Sequence, residues 1–289
     1  MASATRRSFV RHSLISVPLV STLLGREQFS ANNLGVQLYT VRNTIGKDPL
    51  GVLRRIQEIG YKEIEATYAT LALVSPVLKQ TSLRPVSVHI DEAIFMGEGG
   101  KLDEALGKAK SLGFKFAVVP YIAPEHRGGP EVFKALAEKL NKFGEKAKAN
   151  GMRLCYHNHA FEYQNFDGKT GLEMLMSGTD KSLVGLELDI FWASVAGLNP
   201  VEVLKRYSGR VPLVHLKDKS KDFGQTQYNE KVPKDTFKEV GNGSIDISSV
   251  LKAADAAGAE HYFVEQDQTS GDPLDSLAVS FKNLSTHFA

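Results

Sequence analysis

Imidazoles and carboxylates recur in this chain in short clusters, each directly behind an apolar run. Tyr156-His157-Asn158-His159 follows residues 152–155, and Glu187-Leu188-Asp189 follows residues 183–186. His215-Leu216-Lys217-Asp218 follows residues 211–214, and Glu265-Gln266-Asp267 follows residues 262–264. Apolar runs of this length read as buried strands, so the polar clusters mark strand ends. Neutral imidazole nitrogens and carboxylate oxygens are donors that a catalytic divalent ion accepts. Such an ion polarises a carbonyl and stabilises the enediolate left when an adjacent proton is removed. The clusters are far apart in sequence, so this chemistry requires an architecture that gathers strand ends at one point.

The elements between them supply one. Strand-like segments at 35–39, 63–65, 86–90, 116–120, 153–157, 183–189, 212–215 and 261–265 alternate with helix-like ones at 49–59, 71–79, 102–112, 130–150, 171–176, 200–207, 247–257 and 274–284. The helical segments carry apolar residues at helical spacing, as in Phe133, Leu136, Leu140, Phe143 and Ala147. Gly60, Gly113 and Gly151 follow helices as C-caps. The pattern predicts an α/β fold, a single (β/α)8 TIM barrel over residues 34–289, with a doubly wound open sheet as the alternative. The polar segment 217–237 is too long for an ordinary loop and is expected to lie over the site as a lid.

In such a barrel the chemistry sits at the C-terminal ends of the strands. Those ends carry Gln37, Tyr39 and Arg42, then Glu65, His89, His157 with His159, Glu187 with Asp189, His215 with Lys217, and Glu265 with Asp267. Members of each pair are two residues apart and share a strand face if the strand extends that far. Trp192 reads as a loop anchor or a sugar-stacking platform. His126 and His261 read as structural. The glycines of Glu239-Val240-Gly241-Asn242-Gly243 predict a tight turn with backbone room near the site.

Composition narrows the rest. At 289 residues and 42% hydrophobic, the chain can bury one large core. A net charge of +2 leaves no polyanion footprint, so nucleic acid is not the expected partner. The single Cys155 excludes an intrachain disulfide and a multi-cysteine zinc site, and its apolar surroundings predict a buried, inert thiol. Residues 1–33 differ from the rest: Arg6-Arg7-Ser8-Phe9-Val10 precedes a mildly apolar stretch at 13–24. This reads as a twin-arginine export signal, too short to span a bilayer, against the alternative of a basic tail. Export to the periplasm is expected, without stable membrane insertion; a cytoplasmic location follows if the tail is not a signal.

Six strings in order then identify a family resemblance: GVQLYTVR at 35–42, YHNHAFEY at 156–163, ELDIFW at 187–192, VHLKD at 214–218, EVGNGSID at 239–246 and FVEQD at 263–267. Together they resemble the xylose isomerase-like barrels, the superfamily of sugar isomerases/epimerases and endonuclease IV-like enzymes. The resemblance runs from about residue 34 to the C-terminus. It implies one divalent metal ion, with Mn²⁺ first and Mg²⁺, Co²⁺ or Zn²⁺ as alternatives. It places Asp189, His215 and Glu265 at three ligand positions. Epimerases of the superfamily carry Glu-Asn at the end of strand five, whereas this chain has His157-Asn158. The fourth ligand is therefore His157, which strand alternation points inward, or Glu162 from the following loop.

The resemblance implies a sugar isomerase or epimerase acting on a carbohydrate or keto-sugar, with His157, His159 or Glu265 as proton carriers. Gln37, Tyr39, Arg42, Glu65, His89, Glu187, Trp192, Lys217 and Asp267 are expected at the substrate. A histidine in place of one glutamate leaves an asymmetric pair, which suits β-elimination and makes a 3-keto-glycoside lyase or dehydratase the alternative. A sugar-binding barrel without catalysis is the non-enzyme alternative. A DNA-repair activity is disfavoured, because it needs more histidines than these strand ends supply. The resemblance leaves a homodimer open.

Overall fold

The computed structural model describes residues 1, 28–97, 100–224 and 226–288. The arginine pair and the apolar stretch of the expected export signal lie outside the described residues. Eight parallel strands close into a barrel: β1 Leu34–Gln37, β2 Glu63–Thr67, β3 Arg84–His89, β4 Phe116–Val119, β5 Arg153–His157, β6 Val184–Asp189, β7 Leu213–Leu216 and β8 His261–Val264. Closure comes from β8 pairing in parallel with β1, with Leu34 opposite Tyr262 and Val36 opposite Val264. The connecting helices are α1 Pro49–Ile59, α2 Leu71–Leu78, α3 Glu92–Met96, α4 Lys101–Ser111, α5 Pro130–Ala149, α6 Gly171–Gly178, α7 Ile190–Val195, α8 Pro200–Arg206, α9 Ile247–Ala257 and α10 Pro273–Ser285. Among the described residues no helix is long and apolar enough to cross a membrane.

Strand alternation sorts the side chains. Outward positions such as Val36, Leu154, Leu188, Val214 and Tyr262 join the large apolar layer beneath the helices. Val86, Phe116, Val118, Cys155, Leu213 and Phe263 form a separate buried cluster. Cys155, Leu213 and Phe263 each stand two residues before a polar strand end, His157, His215 and Glu265. Burying each such side chain contributes roughly 1.5–3 kcal/mol, so this layer is a stiff floor under the site. Burial pushes the Cys155 thiol well above its ordinary range, in keeping with an inert thiol.

Three local features differ from the sequence expectation. β1 stops at Gln37, whose side chain accepts a hydrogen bond from the Tyr39 N–H (3.0 Å) and starts a 3-10 turn over Leu38–Val41. The turn carries Tyr39 out to the surface, 41% exposed, instead of leaving it on the face of Gln37. A helix not read from the sequence, α7, follows β6 at once because Asp189 Oδ1 accepts the Trp192 N–H at 3.0 Å. The expected lid contains a short antiparallel ribbon, Asp218–Lys219 against Phe237–Lys238.

Candidate active site

The C-terminal ends of β2, β3 and β5 to β8 deliver a buried layer of acids and bases. Register places His157 beside Glu187 and Asp189 beside His215. Asp189, His215 and Glu265 bring one ligand atom each to within 4.8 Å of one another, and so do His89, His157, Glu187 and His215. His215 belongs to both groups. Its Nδ1 lies 2.9 Å from Glu265 Oε2, and its Nε2 lies 2.5 Å from Glu65 Oε2 and 3.3 Å from Glu187 Oε2. His157 sits between the two groups: Nδ1 is 2.9 Å from Glu187 Oε2, and Nε2 is 3.6 Å from Asp189 Oδ2.

Buried oxygens without partners test whether these residues suit a cation. Asp189 Oδ2, Glu65 Oε1 and Glu187 Oε1 all lack a hydrogen bond. The Lys217 ammonium comes within 3.1 Å of Asp189 Oδ2, close enough for attraction but without hydrogen-bond geometry. Orphaned buried carboxylate oxygens are costly unless a cation compensates them. The donor set of imidazole and carboxylate therefore fits a divalent ion, and mixed nitrogen and oxygen donors suit several metals.

Glu162, the alternative ligand, is otherwise engaged. Its oxygens accept the Tyr156 hydroxyl at 2.7 Å and the His159 N–H at 2.9 Å, and it belongs to neither ligand group. Burial pushes its carboxyl up to about 8 despite those bonds. Asn158 ties the ends of β5 and β6 together, donating to the Asp189 carbonyl (3.2 Å) and accepting its N–H (3.0 Å).

The electrostatics divide the histidines. Burial alone would lower His89 and His215, but the nearby Glu65 and Glu187 carboxylates outweigh it; His89 rises to about 9 and His215 well above its ordinary range. Burial, reinforced by neighbouring cations, drives His157 and His159 well below theirs, so both are neutral near pH 7. Glu265 is buried too, yet Lys217 and His215 hold it well below the usual carboxylate range. Burial, reinforced by the Glu265 charge, brings Asp267 up to about 6 against the pull of Lys217. Lys217 is 2% exposed, with its ammonium 2.6 Å from Glu265 Oε2 and 3.0 Å from Asp267 Oδ2.

The remaining expected substrate residues separate by depth. Gln37 donates to Glu65 Oε2 at 2.8 Å, and His89 Nε2 lies 3.1 Å from the same oxygen and 2.9 Å from Glu187 Oε2. Gln37, Glu65, His89 and Glu187 thus form a buried network in which Gln37 and Glu65 support His89 and Glu187 of the second ligand group. Arg42 stacks on Tyr39 at 4.1 Å and donates to the Asp267 carbonyl at 2.7 Å, tying the first loop to the last at the rim. Trp192 is buried, with its ring 5.4 Å from that of His159. His159 Nδ1 and Trp192 Nε1 are both buried without partners, which leaves two polar atoms for a ligand beside the acid–base layer.

Sequence reading missed Tyr121 and Arg127. The Tyr121 ring stands 5.2 Å from that of His159. Arg127 lies 3.8 Å over Phe161 and pairs with Glu230 at 3.0 Å, joining the loop after β4 to the polar segment after β7. Its only signal in the sequence is its place in the loop at 123–129, because a lone arginine among polar residues looks like surface.

Comparison with known proteins agrees with this geometry. Residues 101–281, more than half of the chain, match the model of a family described as xylose isomerase-like TIM barrel. An inosose dehydratase from Clostridium perfringens is 36% identical over 154 residues, covering 50% of this chain and 51% of that protein. The chain thus aligns with about half the length of the curated relatives it matches. A sugar phosphate isomerase/epimerase from Parabacteroides distasonis superposes with a TM-score of 0.71 at 22% identity, over 89% of this chain and 94% of the other. A zinc-bound structure of the IolI protein superposes at 0.68 with 16% identity, over 89% and 99%. Barrel, strand-end site and family match converge: the chain belongs to the xylose isomerase-like TIM barrel family.

Proposed function

We propose that the protein is a metal-dependent enzyme that removes the proton α to the carbonyl of a keto-sugar or keto-cyclitol and then eliminates a β-oxygen substituent, as a dehydratase or lyase. The observation that carries this is the asymmetry of the site. An ionised Glu265 just past β8 shares the site of Asp189 and His215 with two histidines at and just past the end of β5, where a second glutamate would make the pair symmetric. The resemblance to an inosose dehydratase supports the same reading.

Asp189, His215 and Glu265, with His157 as the fourth ligand, would hold the ion. When bound, it supplies polarisation of the substrate carbonyl and stabilisation of the enediolate. His157 has both nitrogens directed at carboxylates. His159 has a buried Nδ1 with no partner, which makes it the imidazole available as a base. It takes the α-proton as the enediolate forms. Collapse of the enediolate breaks the β C–O bond, and the same imidazole returns the proton to the leaving oxygen. Lys217 donates to substrate oxygens, and the walls of Trp192 and Tyr121 exclude water.

A second reading, isomerase or epimerase, draws on His159 and Glu265 following strands three places apart around the barrel, from which they could serve the two faces of one carbon. Incubation with a 3-keto-glycoside and with an inosose, before and after chelation, separates the readings. Released aglycone or an unsaturated, dehydrated ketone supports elimination. An isomer with its linkage intact supports the second reading. Saturable binding that neither turns over nor responds to chelation would leave a sugar-binding barrel and sink both. We also propose export through the Arg6-Arg7 segment; a reporter fused behind residues 1–33 that stays cytoplasmic, and is unaffected by changing both arginines to lysine, would refute it.

A further inference from the structure

A cavity lies at the opposite end of the barrel from the ligand groups. It has a volume of about 310 Å³ and opens where β5 and β6 begin, beneath the C-terminal half of α5. Four cationic residues line it, Lys148, Arg153, Lys181 and Arg210, together with Ser182, and no lining residue is acidic. We propose that this cavity binds a compact multivalent oxyanion of the phosphate class, separate from the substrate site.

The cations have unequal commitments. Arg210 donates to the carbonyls of Met176 (2.6 Å) and Val184 (2.8 Å) and to Thr179 Oγ1 (2.8 Å), which fixes the guanidinium in place. Its Nε is buried and has no partner. Arg153 is neutralised by Glu260 through two contacts at 2.7 and 2.8 Å. Lys148 and Lys181 take part in no ion pair or side-chain hydrogen bond among the described residues, so no carboxylate neutralises either ammonium by direct contact, although the exposed Asp180 beside Lys181 lies within electrostatic reach of Lys148 and Arg210. Lys148 lies in the last turn of α5, where a lysine interacts favourably with the helix dipole. That dipole amounts to about half a negative charge, less than Lys148 alone carries. Lys181 lies outside the helices and has no such explanation.

The anion would be fixed by the charges of Lys148 and Lys181 and oriented by the rigid Arg210. Cations in such numbers select doubly charged oxyanions over chloride. Inorganic phosphate and a phosphorylated sugar share that chemistry and differ in the room they need.

The test is titration of the full-length protein with inorganic phosphate, and separately with a hexose phosphate, at constant ionic strength set with chloride. Thermal shift and calorimetry are the readouts. Lys148→Glu and Lys181→Glu are the variants, since both residues are exposed and neither touches the substrate site. The proposal expects saturable binding to the wild type, weakened at least about tenfold by either variant, as loss of a charge-assisted contact implies. Binding of phosphate but not the hexose phosphate identifies a free-phosphate site; tighter binding of the ester identifies a phosphorylated metabolite. No response beyond that of chloride overturns the proposal. So does binding that both variants retain, because the anion then sits elsewhere.

Discussion

At the scale of single residues, the proposed assignment of ligand and proton carrier rests on what already occupies each atom. His157 is committed to Glu187 and Asp189, whereas His159 presents a buried, unpartnered Nδ1. His159→Asn should therefore lower kcat by about 10²–10⁴-fold, the usual worth of a general base, and leave metal content unchanged. His157→Asn should lower the metal content itself. Elemental analysis of the two purified variants beside their kinetics decides this; metal loss in the His159 variant would reverse the assignment. Glu162 gives a prediction in pH. Its folded pKa of about 8 lies above the unfolded value of about 4.3, so the folded state holds a proton that the unfolded state has released. That contribution is complete below about pH 4.3 and is lost as pH rises through about 8. Glu162→Gln should remove this slope, so the wild type should lose melting temperature relative to the variant over that window; parallel profiles would contradict the buried, protonated carboxyl.

At the scale of elements, two connections after strand ends hold the site's rim. Asp218, just beyond β7, accepts the N–H groups of Gly241 (2.9 Å), Gly243 (2.9 Å) and Ile245 (3.1 Å), folding the glycine-rich turn around one carboxylate. A Cβ on Gly243 would lie 2.2 Å from Asp218 Oδ1, and Gly241 has φ +90°. Gly243 thus makes room for Asp218, while Gly241 supplies a left-handed turn packed against Asn283. Gly243→Ala should destabilise the fold by about 1–3 kcal/mol, read as a lower melting temperature; an unchanged melt would show that the turn repacks freely. The second connection is the Arg127–Glu230 pair between the loop after β4 and the long polar segment. Removing Glu230 leaves a guanidinium only 13% exposed without that carboxylate. Glu230→Ala should speed amide exchange in residues 226–236 and spare the barrel strands; uniform protection would mean that the pair does not anchor the segment.

At the scale of the whole molecule, the barrel concentrates charge that only a well-packed frame could hold. Glu65, Glu187, Asp189 and Glu265 share one layer with His89, His157, His215 and Lys217, above the apolar floor of Phe116, Leu213 and Phe263. A divalent ion bound by the folded state alone should raise the melting temperature with concentration, adding about 2.7 kcal/mol of stability at one hundred times its Kd. Chelation should reverse the shift, and Asp189→Asn should abolish it. A metal-independent melt would remove the ion from the fold's energetics and weaken the proposed chemistry with it.

The sequence by itself determined the barrel and the residues at its active end. Apolar periodicity and helix-ending glycines mark the eight barrel strands and, among the described residues, all the helices except the short α3 and α7 within a few residues. Polar clusters placed directly behind buried runs have to face a site or water, so His157, Asp189, His215, Lys217 and Glu265 were legible one strand at a time. Side-chain contacts between strands depend on closure and register, which no local pattern encodes. Only the tertiary structure decided that His215 stands in two ligand groups, that Glu162 is already held by Tyr156 and His159, and that Tyr39 leaves the barrel in a 3-10 turn. The same holds for the basic cavity at the far end. Its four cations come from α5, β5 and the two loops that precede β6 and β7, and only folding brings them to one place.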